Sequence, residues 1–352
     1  MKCSSCGGTM IYDVGKHGLV CDHCGAVQVL PGPGEQGGAA ETDLGSAIKR
    51  ANTDWGAAKT LVTCQSCGAQ LFCDDDKMSG LCPFCGSAVV LTLENANFGI
   101  APSAIIPFSV TKEQVEERFY KWNKFAFWSP EKFRTGKVLG NLTPVYVPYW
   151  TFDADAETTY NGRFGDIQDY QDGTKTIWTN GSGTVKTHIN DYCVCASRKF
   201  ANDKLLNQVV YFTADEMVPY SPEYLAGMTA EKYTIGIDEA WNSVQEGPLK
   251  KMALDAACRN EHADCSENVS VSTQYSNITY KCVLVPVWLT GCKFGGKVYN
   301  VVAGGHNERG NCGRPVSIAK IALLIGLILL LFNIGNISFL VMMIVSMLMQ
   351  GA

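Results

Sequence analysis

The chain opens on Cys3-Ser4-Ser5-Cys6 and Cys21-Asp22-His23-Cys24, and the same spacing returns in Cys64-Gln65-Ser66-Cys67 and Cys82-Pro83-Phe84-Cys85. Each copy has two CxxC pairs with fourteen residues between them and a glycine directly after each pair. Aligned at an offset of 61 residues, positions 3–30 and 64–91 agree at eleven of 28 places. Because the glycines keep register with the cysteines, the pattern indicates a duplicated module.

The cysteine spacing predicts a metal site in each copy. A CxxC pair turns two sulfurs toward one point, and the glycine after it lets the backbone fold under the metal. Two pairs supply the four thiolates of a tetrahedral Zn²⁺, so each copy is predicted to be a zinc ribbon with a closed, structural site. Redox pairs, or an iron site of the rubredoxin type, stay open as alternatives. The predicted ligands are Cys3, Cys6, Cys21 and Cys24 in the first ribbon and Cys64, Cys67, Cys82 and Cys85 in the second.

Length, charge and cysteine content narrow the class of protein. The 352 residues are enough for two or three domains. Sixteen cysteines in a chain that begins MKCSSCGG, with no signal peptide ahead of them, are expected to be reduced thiols in a cytosolic setting. The formal charge of −5 argues against a protein that coats nucleic acid.

Local charge argues against nucleic acid at the ribbons themselves. Residues 1–30 have a formal charge of zero and residues 59–92 have −1, before each zinc ion with four thiolates adds a further −2. Phosphate binding needs a basic footprint, which neither ribbon has. Protein contact is therefore the expected use of the ribbons, and nucleic-acid binding is the alternative.

Residues 93–315 are predicted to form a mixed α+β body, and residues 31–58 a flexible linker with a short helix over 43–55. Thr111 and Gln114 form a capping box ahead of apolar residues at helical spacing. The other expected elements are a β-hairpin over 174–195, helices over 238–245 and 249–258, and strands over 269–290.

Two further patterns lie in the body. Val147-Pro148-Tyr149-Trp150 and Val285-Pro286-Val287-Trp288 are interpreted as strands with an edge proline and a core tryptophan, or as a mark of paired structural halves. Asp153, Asp155 and Glu157 alternate, so they form either a solvated acidic face or a site for a hard cation.

The C-terminal segment, residues 316–352, is predicted to be transmembrane. Residues 321–349 carry no charge, and a helix of that length would reach about 43 Å against about 30 Å of hydrocarbon. Asn333-Ile334-Gly335-Asn336 interrupts the run, which leaves a single tilted span or a hairpin open. Arg309, Arg314 and Lys320 precede it, so the body is expected in the cytoplasm of a membrane-bound protein.

No catalytic signature is found in the sequence. GxxxxGK[ST], GxSxG, HExxH and a GxGxxG after a strand are all missing. We therefore predict no catalytic residues, no small-molecule substrate and no cofactor besides Zn²⁺. An enzyme would need the fold to gather residues such as Asp153, Asp155 and His188 in one pocket.

Taken together, the motifs resemble a bacterial family of membrane-anchored double zinc-ribbon proteins. The resemblance rests on the two ribbons, Ile105-Ile106-Pro107-Phe108, the run from Tyr146 to Asp155, the run from Pro219 to Gly227, and Val285-Pro286-Val287-Trp288. Such proteins are often labelled TFIIB-type zinc ribbons or primosomal helicase-like, but this sequence has no nucleotide-binding loop. The resemblance implies a membrane platform that recruits flotillin-like (SPFH) or phage-shock-type scaffold proteins during envelope stress.

The function predicted from the sequence is that of a membrane-anchored adaptor whose ribbons dock protein partners. Its bilayer contact is expected through residues 321–349. The alternative is a nucleic-acid-binding zinc-ribbon protein held at the membrane.

Overall fold

A computed structural model gives the fold of the chain. The structure describes residues 1–330 except for 36–37, 47–51, 57–58, 75–80, 89, 93–98, 124–128, 172, 201–203, 295, 314–316 and 318–319.

The described elements are mostly strands. They are β1 (Met10–Asp13), β2 (Gly18–Cys21), β3 (Val27–Val29), β4 (Thr42–Asp43), β5 (Thr60–Cys64), β6 (Gln70–Cys73), β7 (Val90–Thr92), β8 (Ala104–Ile105), β9 (Thr143–Tyr170), β10 (Gly173–Cys195), β11 (Val218–Pro219), β12 (Thr229–Glu231), β13 (Cys265–Phe294), β14 (Lys297–Gly304) and β15 (Gly310–Cys312). The helices are α1 (Lys112–Asn123), α2 (Glu131–Arg134), α3 (Lys204–Val209), α4 (Ile237–Val244) and α5 (Lys250–Asn260). Short 3₁₀ turns span Lys137–Asn141, Ala214–Glu216 and Pro222–Leu225, and a π turn, Gln245–Leu249, joins α4 to α5.

One large sheet holds the body and the second cysteine module together. Its strand order is β11-β8-β13-β9-β12-β6-β5-β7, with β10 beside β9 and β14 beside β13. Strands β5, β6 and β7 belong to the second module, and β6 pairs with β12 of the body. The first module forms a separate three-stranded sheet, β1-β2-β3. The second module is therefore a continuation of the body sheet.

The two Val-Pro-x-Trp segments pair with each other at the centre of this sheet. Val147 of β9 lies opposite Val285 of antiparallel β13, so the two segments occupy equivalent positions about an approximate twofold axis. After its proline, each long strand pairs on its outer side with its own hairpin partner, β10 for β9 and β14 for β13. Before the proline, the outer neighbour is a short parallel strand, β12 beside β9 and β8 beside β13. This is the arrangement of paired structural halves.

The prediction that the prolines lie at a sheet edge is wrong, because Pro148 and Pro286 both lie in the central pair. Each occupies the position where one outer neighbour ends and another begins. A proline there removes no ladder hydrogen bond, since its missing N–H has no strand to meet. The proline carbonyls still accept hydrogen bonds from the amides of Ala196 and Gly305, both at 2.9 Å.

Each motif tryptophan fixes the helix start of the opposite half. Trp150 Nε1 donates to the carbonyl of Ile235 at 2.9 Å, two residues before α4 begins. Trp288 Nε1 donates to the carbonyl of Val110 at 2.7 Å, two residues before α1. The body therefore consists of two interlocked halves, β8-α1-β9-β10 and β12-α4-α5-β13-β14. Each half supplies a tryptophan that packs against the other.

Parts of the segment between the ribbons lie against the body. Thr42 and Asp43 pair with β13, and the indole of Trp55 packs on Phe72 with ring centroids 4.5 Å apart. Of the helix predicted over 43–55, residues 44–46 are helical, residue 43 belongs to β4, residues 52–55 are not helical, and residues 47–51 fall outside the described residues.

The predicted fold class and localisation need correction at the C-terminus. Within the part of the chain that the structure describes, no helix is long and apolar enough to cross a membrane. Residues 320–330 are helical. The remainder of the predicted span, residues 331–349, lies outside the described residues. The described residues form a mixed α+β fold dominated by one sheet, and the predicted membrane-spanning helix is not found among them.

The exchange of tryptophans leads to a prediction for stability. Trp150→Phe and Trp288→Phe should each lower the free energy of unfolding by about 1–3 kcal/mol, because each leaves a carbonyl without its donor, half-buried at Ile235 and buried at Val110. Urea unfolding followed by circular dichroism would measure the change. Trp178→Phe is the control, since Trp178 lies half-buried in the outer part of β10 under the Arg163 guanidinium. An equal loss in all three variants would contradict the role given to the two indoles.

Candidate metal centres

The structure brings the eight predicted ligand cysteines together in two groups of four. Within each group the Sγ atoms all lie within 4.8 Å of one another. The closest sulfur pairs in the first group are 3.5 and 3.7 Å apart, and those in the second are both 3.7 Å apart. Four sulfurs held about 2.3 Å from one ion form a tetrahedron with edges of about 3.8 Å.

This sulfur geometry fits a metal ion, and no disulfide joins the sulfurs of either cluster. A disulfide would need sulfurs about 2.05 Å apart, and all eight thiols are free. Tetrahedral four-sulfur sites are typical of zinc or iron. The two clusters are thus compatible with zinc ribbons, with a full set of four protein ligands in each.

The glycine after each CxxC pair has the conformation that the sequence analysis expects. The backbone φ angles are +76° at Gly7, +72° at Gly25, +73° at Gly68 and +67° at Gly86. Each of these amides donates to the carbonyl of the first cysteine of its pair, at 2.7 to 3.1 Å. A Cβ atom at the first three would meet nothing within 4 Å. The left-handed backbone, not crowding, therefore requires glycine.

The thiols of the first cluster influence one another's protonation. Hydrogen bonds from the backbone amides of Ser5 and Cys6 lower the pKa of the Cys3 thiol to about 6. The amide of Gly8 lowers the pKa of Cys6, but the neighbouring sulfurs of the second CxxC pair outweigh it and raise that pKa to about 12. Four sulfurs this close cannot all carry charge unless a cation lies between them. A divalent ion would supply that charge and release the remaining protons.

Tyr12 of β1 attaches the first cluster to the body through two hydrogen bonds. The backbone amide of Tyr12 donates to the carbonyl of Ala226 at 2.9 Å, and its hydroxyl donates to the carbonyl of Phe108 at 3.1 Å. Cys3 and Cys21 are buried against this contact, whereas Cys6 and Cys24 face outward. One side of the first ribbon is therefore anchored and the other is exposed.

The second cluster is more deeply enclosed. Three of its cysteines are buried and Cys67 is half-buried. The ring of Phe84 packs on Phe200 with centroids 5.1 Å apart, and Lys199 Nζ donates to the carbonyl of Cys67. β13 approaches so closely that a Cβ at Gly291 would lie 2.5 Å from the Phe84 carbonyl oxygen. The body thus fixes the orientation of this ribbon.

The three alternating carboxylates do not form a metal-ligand group among the described residues. Asp153 accepts a hydrogen bond from the Asp191 amide at 2.9 Å, and Glu157 lies 3.6 Å from Lys186 Nζ. Asp155 contacts Asn277 and His188, both at 2.8 Å, and these contacts lower its pKa. Each carboxylate therefore has its own protein partner, and the strand does not gather them with His188 into one pocket.

Two buried sites with ionisable side chains could not be predicted from a sequence motif. Lys281 Nζ lies 2.7 Å from Asp191 and 3.0 Å from Glu41 in the segment between the ribbons. Burial lowers the pKa of Lys281, but these two acids outweigh it and raise the pKa. Glu231 is fully buried, accepts a hydrogen bond from Ser197 at 2.6 Å, and has its pKa raised by burial to about 8. Only an alignment of the two halves, which sets Glu231 against Ile106, could have drawn attention to it.

Comparisons with known proteins give one informative similarity. The chain is 26% identical over 261 residues to the uncharacterized protein YdjG of Bacillus subtilis (strain 168), which is 72% of this chain and 73% of that protein. No known family and no solved structure matches the chain. The similarity extends over most of both chains, but the relative's name states no activity.

The clusters lead to a prediction for metal content. The purified chain should hold two metal ions, and Cys6→Ser or Cys67→Ser should each reduce the content to one, because each removes a ligand from one cluster only. Mass spectrometry of the metals measures the content. Cys258→Ser is the matched control, since Cys258 lies in neither group. Two ions retained by both ligand variants would rule out the proposed ligand sets.

Glu231 leads to a prediction for pH dependence. Its pKa is raised to about 8 in the folded chain and returns to an ordinary value of about 4.3 on unfolding. Between these values the folded chain binds the extra proton, so the free energy of unfolding should fall as pH rises, by on the order of a few kcal/mol. Glu231→Gln should flatten this dependence in urea titrations between pH about 5 and 8, whereas exposed Glu157→Gln should not. A slope unaffected by Glu231→Gln would exclude the residue as its source.

Proposed function

We propose that the chain is a zinc-ribbon adaptor, in which two structural zinc centres shape surfaces that dock protein partners. The observation that supports it most directly is the pair of four-sulfur clusters. A site with four protein ligands leaves no open position for substrate or water, so its ion serves structure and not catalysis. Ribbons of this size have little core of their own, and metal binding supplies their folding energy.

The outer side of the first ribbon has the character of a docking surface. Strand β3 is the outer strand of its sheet, and Val27 and Val29 are 47% and 72% exposed. Across the same sheet, Ile11 is 43% exposed. Apolar side chains grouped on a surface favour protein contact, and the acidic charge of a zinc-loaded ribbon disfavours phosphate.

The partner class comes from the resemblance to double zinc-ribbon proteins. We infer membership in that bacterial family and, with it, partners of the flotillin-like or phage-shock-type scaffold class during envelope stress. The similarity to YdjG accords with a bacterial protein but adds no activity. The adaptor role itself depends on the ribbons and not on the identity of the partner.

Nucleic-acid binding has less support. Lys59, at the start of the second ribbon, is buried and lies 2.6 Å from Asp74. Its Nζ also donates to the carbonyls of Leu225 and Met228 at 2.7 and 2.9 Å. A lysine engaged in this way is unavailable to a phosphate. The alternative predicts salt-sensitive binding of DNA or RNA by the purified chain.

Partner capture tests the adaptor role. Tagged wild-type chain, crosslinked in cells and purified, should recover a defined partner, and Val29→Asp should lose at least about nine-tenths of it, because a charge then enters the apolar contact. Gln28→Asp is the matched control, since it adds the same charge one position away on the other face of β3. Metal analysis of both variants verifies that the ribbon is intact. Equal recovery with all three chains would refute docking at β3.

A further inference from the structure

The two halves of the body differ at one strand. The outer edge of β14 is covered by β15, where Asn311 lies opposite Val302. In the other half the corresponding strand is β10, and among the described residues β9 alone pairs with it. By the twofold relation, the position beside β10 corresponds to the one that β15 occupies beside β14. No strand among the described residues fills it.

Backbone hydrogen bonds fix which residues correspond. The amides of Ala196 and Gly305 donate to the carbonyls of Pro148 and Pro286, both at 2.9 Å. The Ala196 carbonyl accepts from the amides of Thr234 and Ile235, and the Gly305 carbonyl accepts from those of Ser109 and Val110, at 2.7 to 2.9 Å. Ala196 therefore corresponds to Gly305. Counting back three residues in each strand, Cys193 corresponds to Val302.

A cavity occupies the place that β15 fills in the other half. It has a volume of about 910 Å³, and its walls are the end of β10, the region of α3 and the side of α4 that carries Glu239 and Ser243. Tyr192, Cys193 and Val194 form the strand side of the cavity. Small-molecule and cofactor sites typically have volumes of 300–1,000 Å³, so the cavity is large enough to hold several side chains.

The backbone of Cys193 is oriented toward this cavity. In an antiparallel ladder the N–H and C=O of one residue point to the same side, and the side alternates along the strand. The Ala196 amide points inward to Pro148, so the residues with the opposite orientation, Cys195 and Cys193, point outward. In the other half, the Gly304 amide likewise points outward and donates to the carbonyl of Arg309 at 2.9 Å.

We propose that the cavity receives an extended segment of a protein partner, which pairs antiparallel with Tyr192–Val194. Its central residue exchanges hydrogen bonds with the N–H and C=O of Cys193, as Asn311 pairs with Val302. The mode is strand addition at a sheet edge. The inference rests on the proposed docking function but assigns a second surface, distant in sequence from β3.

The walls of the cavity indicate the chemistry of the segment. Asp191 is 2.7 Å from Lys281 Nζ, and Arg198 is 2.6 Å from Glu239. Since these charges are already paired, they do not call for a charged ligand. Tyr149, Tyr211 and Phe212 supply aromatic surface, and Tyr211 is 60% exposed. The segment expected here is uncharged and carries apolar or aromatic side chains.

Selection from phage-displayed random peptides of about ten residues tests this on the purified, metal-loaded chain. Uncharged apolar peptides should be enriched and bind wild type and Cys193→Ala equally. Cys193→Pro should bind them at least about tenfold more weakly, because proline removes the N–H that faces the cavity. The same N–H takes no part in the ladder with β9, so the strand should tolerate this proline.

Two further measurements make the result decisive. Ser243→Trp, which places a bulky ring in the cavity from exposed α4, should also abolish binding, even if Cys193→Pro fails to fold. Bound peptide should slow amide hydrogen exchange at Cys193. Failure to enrich any peptide, or equal binding to wild type and Ser243→Trp, would overturn the inference. Because no cellular partner is used, that result would leave partner capture through β3 unaffected.

Discussion

The antiparallel pairing of β9 with β13 is the interaction on which the rest of the structure depends. Val147 and Val285 meet at its centre and are fully buried. Each long strand then offers its outer side to two neighbours, its own hairpin partner and a short strand from the opposite half. The sheet order is consequently symmetric about the central pair, with β11-β8-β13 on one side and β9-β12-β6 on the other. The second ribbon enters the sheet through β6, at the position that β11 holds in the other half.

This placement gives the two metal centres different relations to the body. The first ribbon has its own sheet and contacts the body on the side of Tyr12, so its outer side is left for a partner. The second is built into the large sheet, and Phe84 and Cys67 are engaged by the body. Metal binding in small ribbons contributes roughly 10–16 kcal/mol of folding energy. In the second ribbon, that energy also orders the strands that extend the body sheet.

The sequence predicted the features that depend on nearby residues. CxxC spacing is local, and a tetrahedral ion imposes one geometry on it, so both clusters and the conformations of Gly7, Gly25 and Gly68 could be foreseen. The repeat of Val-Pro-x-Trp left paired halves open as an alternative to edge strands, and the central position of the prolines depends on which strands adjoin them. The ion pairs of Lys281 with Asp191 and Glu41 join distant segments and leave no periodic pattern. The predicted transmembrane helix rested on an uncharged run alone. Of that run the structure describes only the part up to residue 330, which is helical.

The exchange of tryptophans sets an order of events during synthesis on the ribosome. Val110 receives its indole donor from Trp288, 178 residues later. At about 5–20 residues per second, Trp288 is translated roughly 10–40 s after Val110. Until then the helix start near Val110 lacks this hydrogen bond. In the later part of this interval, after β9 has been translated and before β13 follows, β9 exposes the edge that β13 will cover. The nascent chain therefore has a period of several seconds in which a chaperone, or a neighbouring nascent chain, can reach this unpaired strand edge.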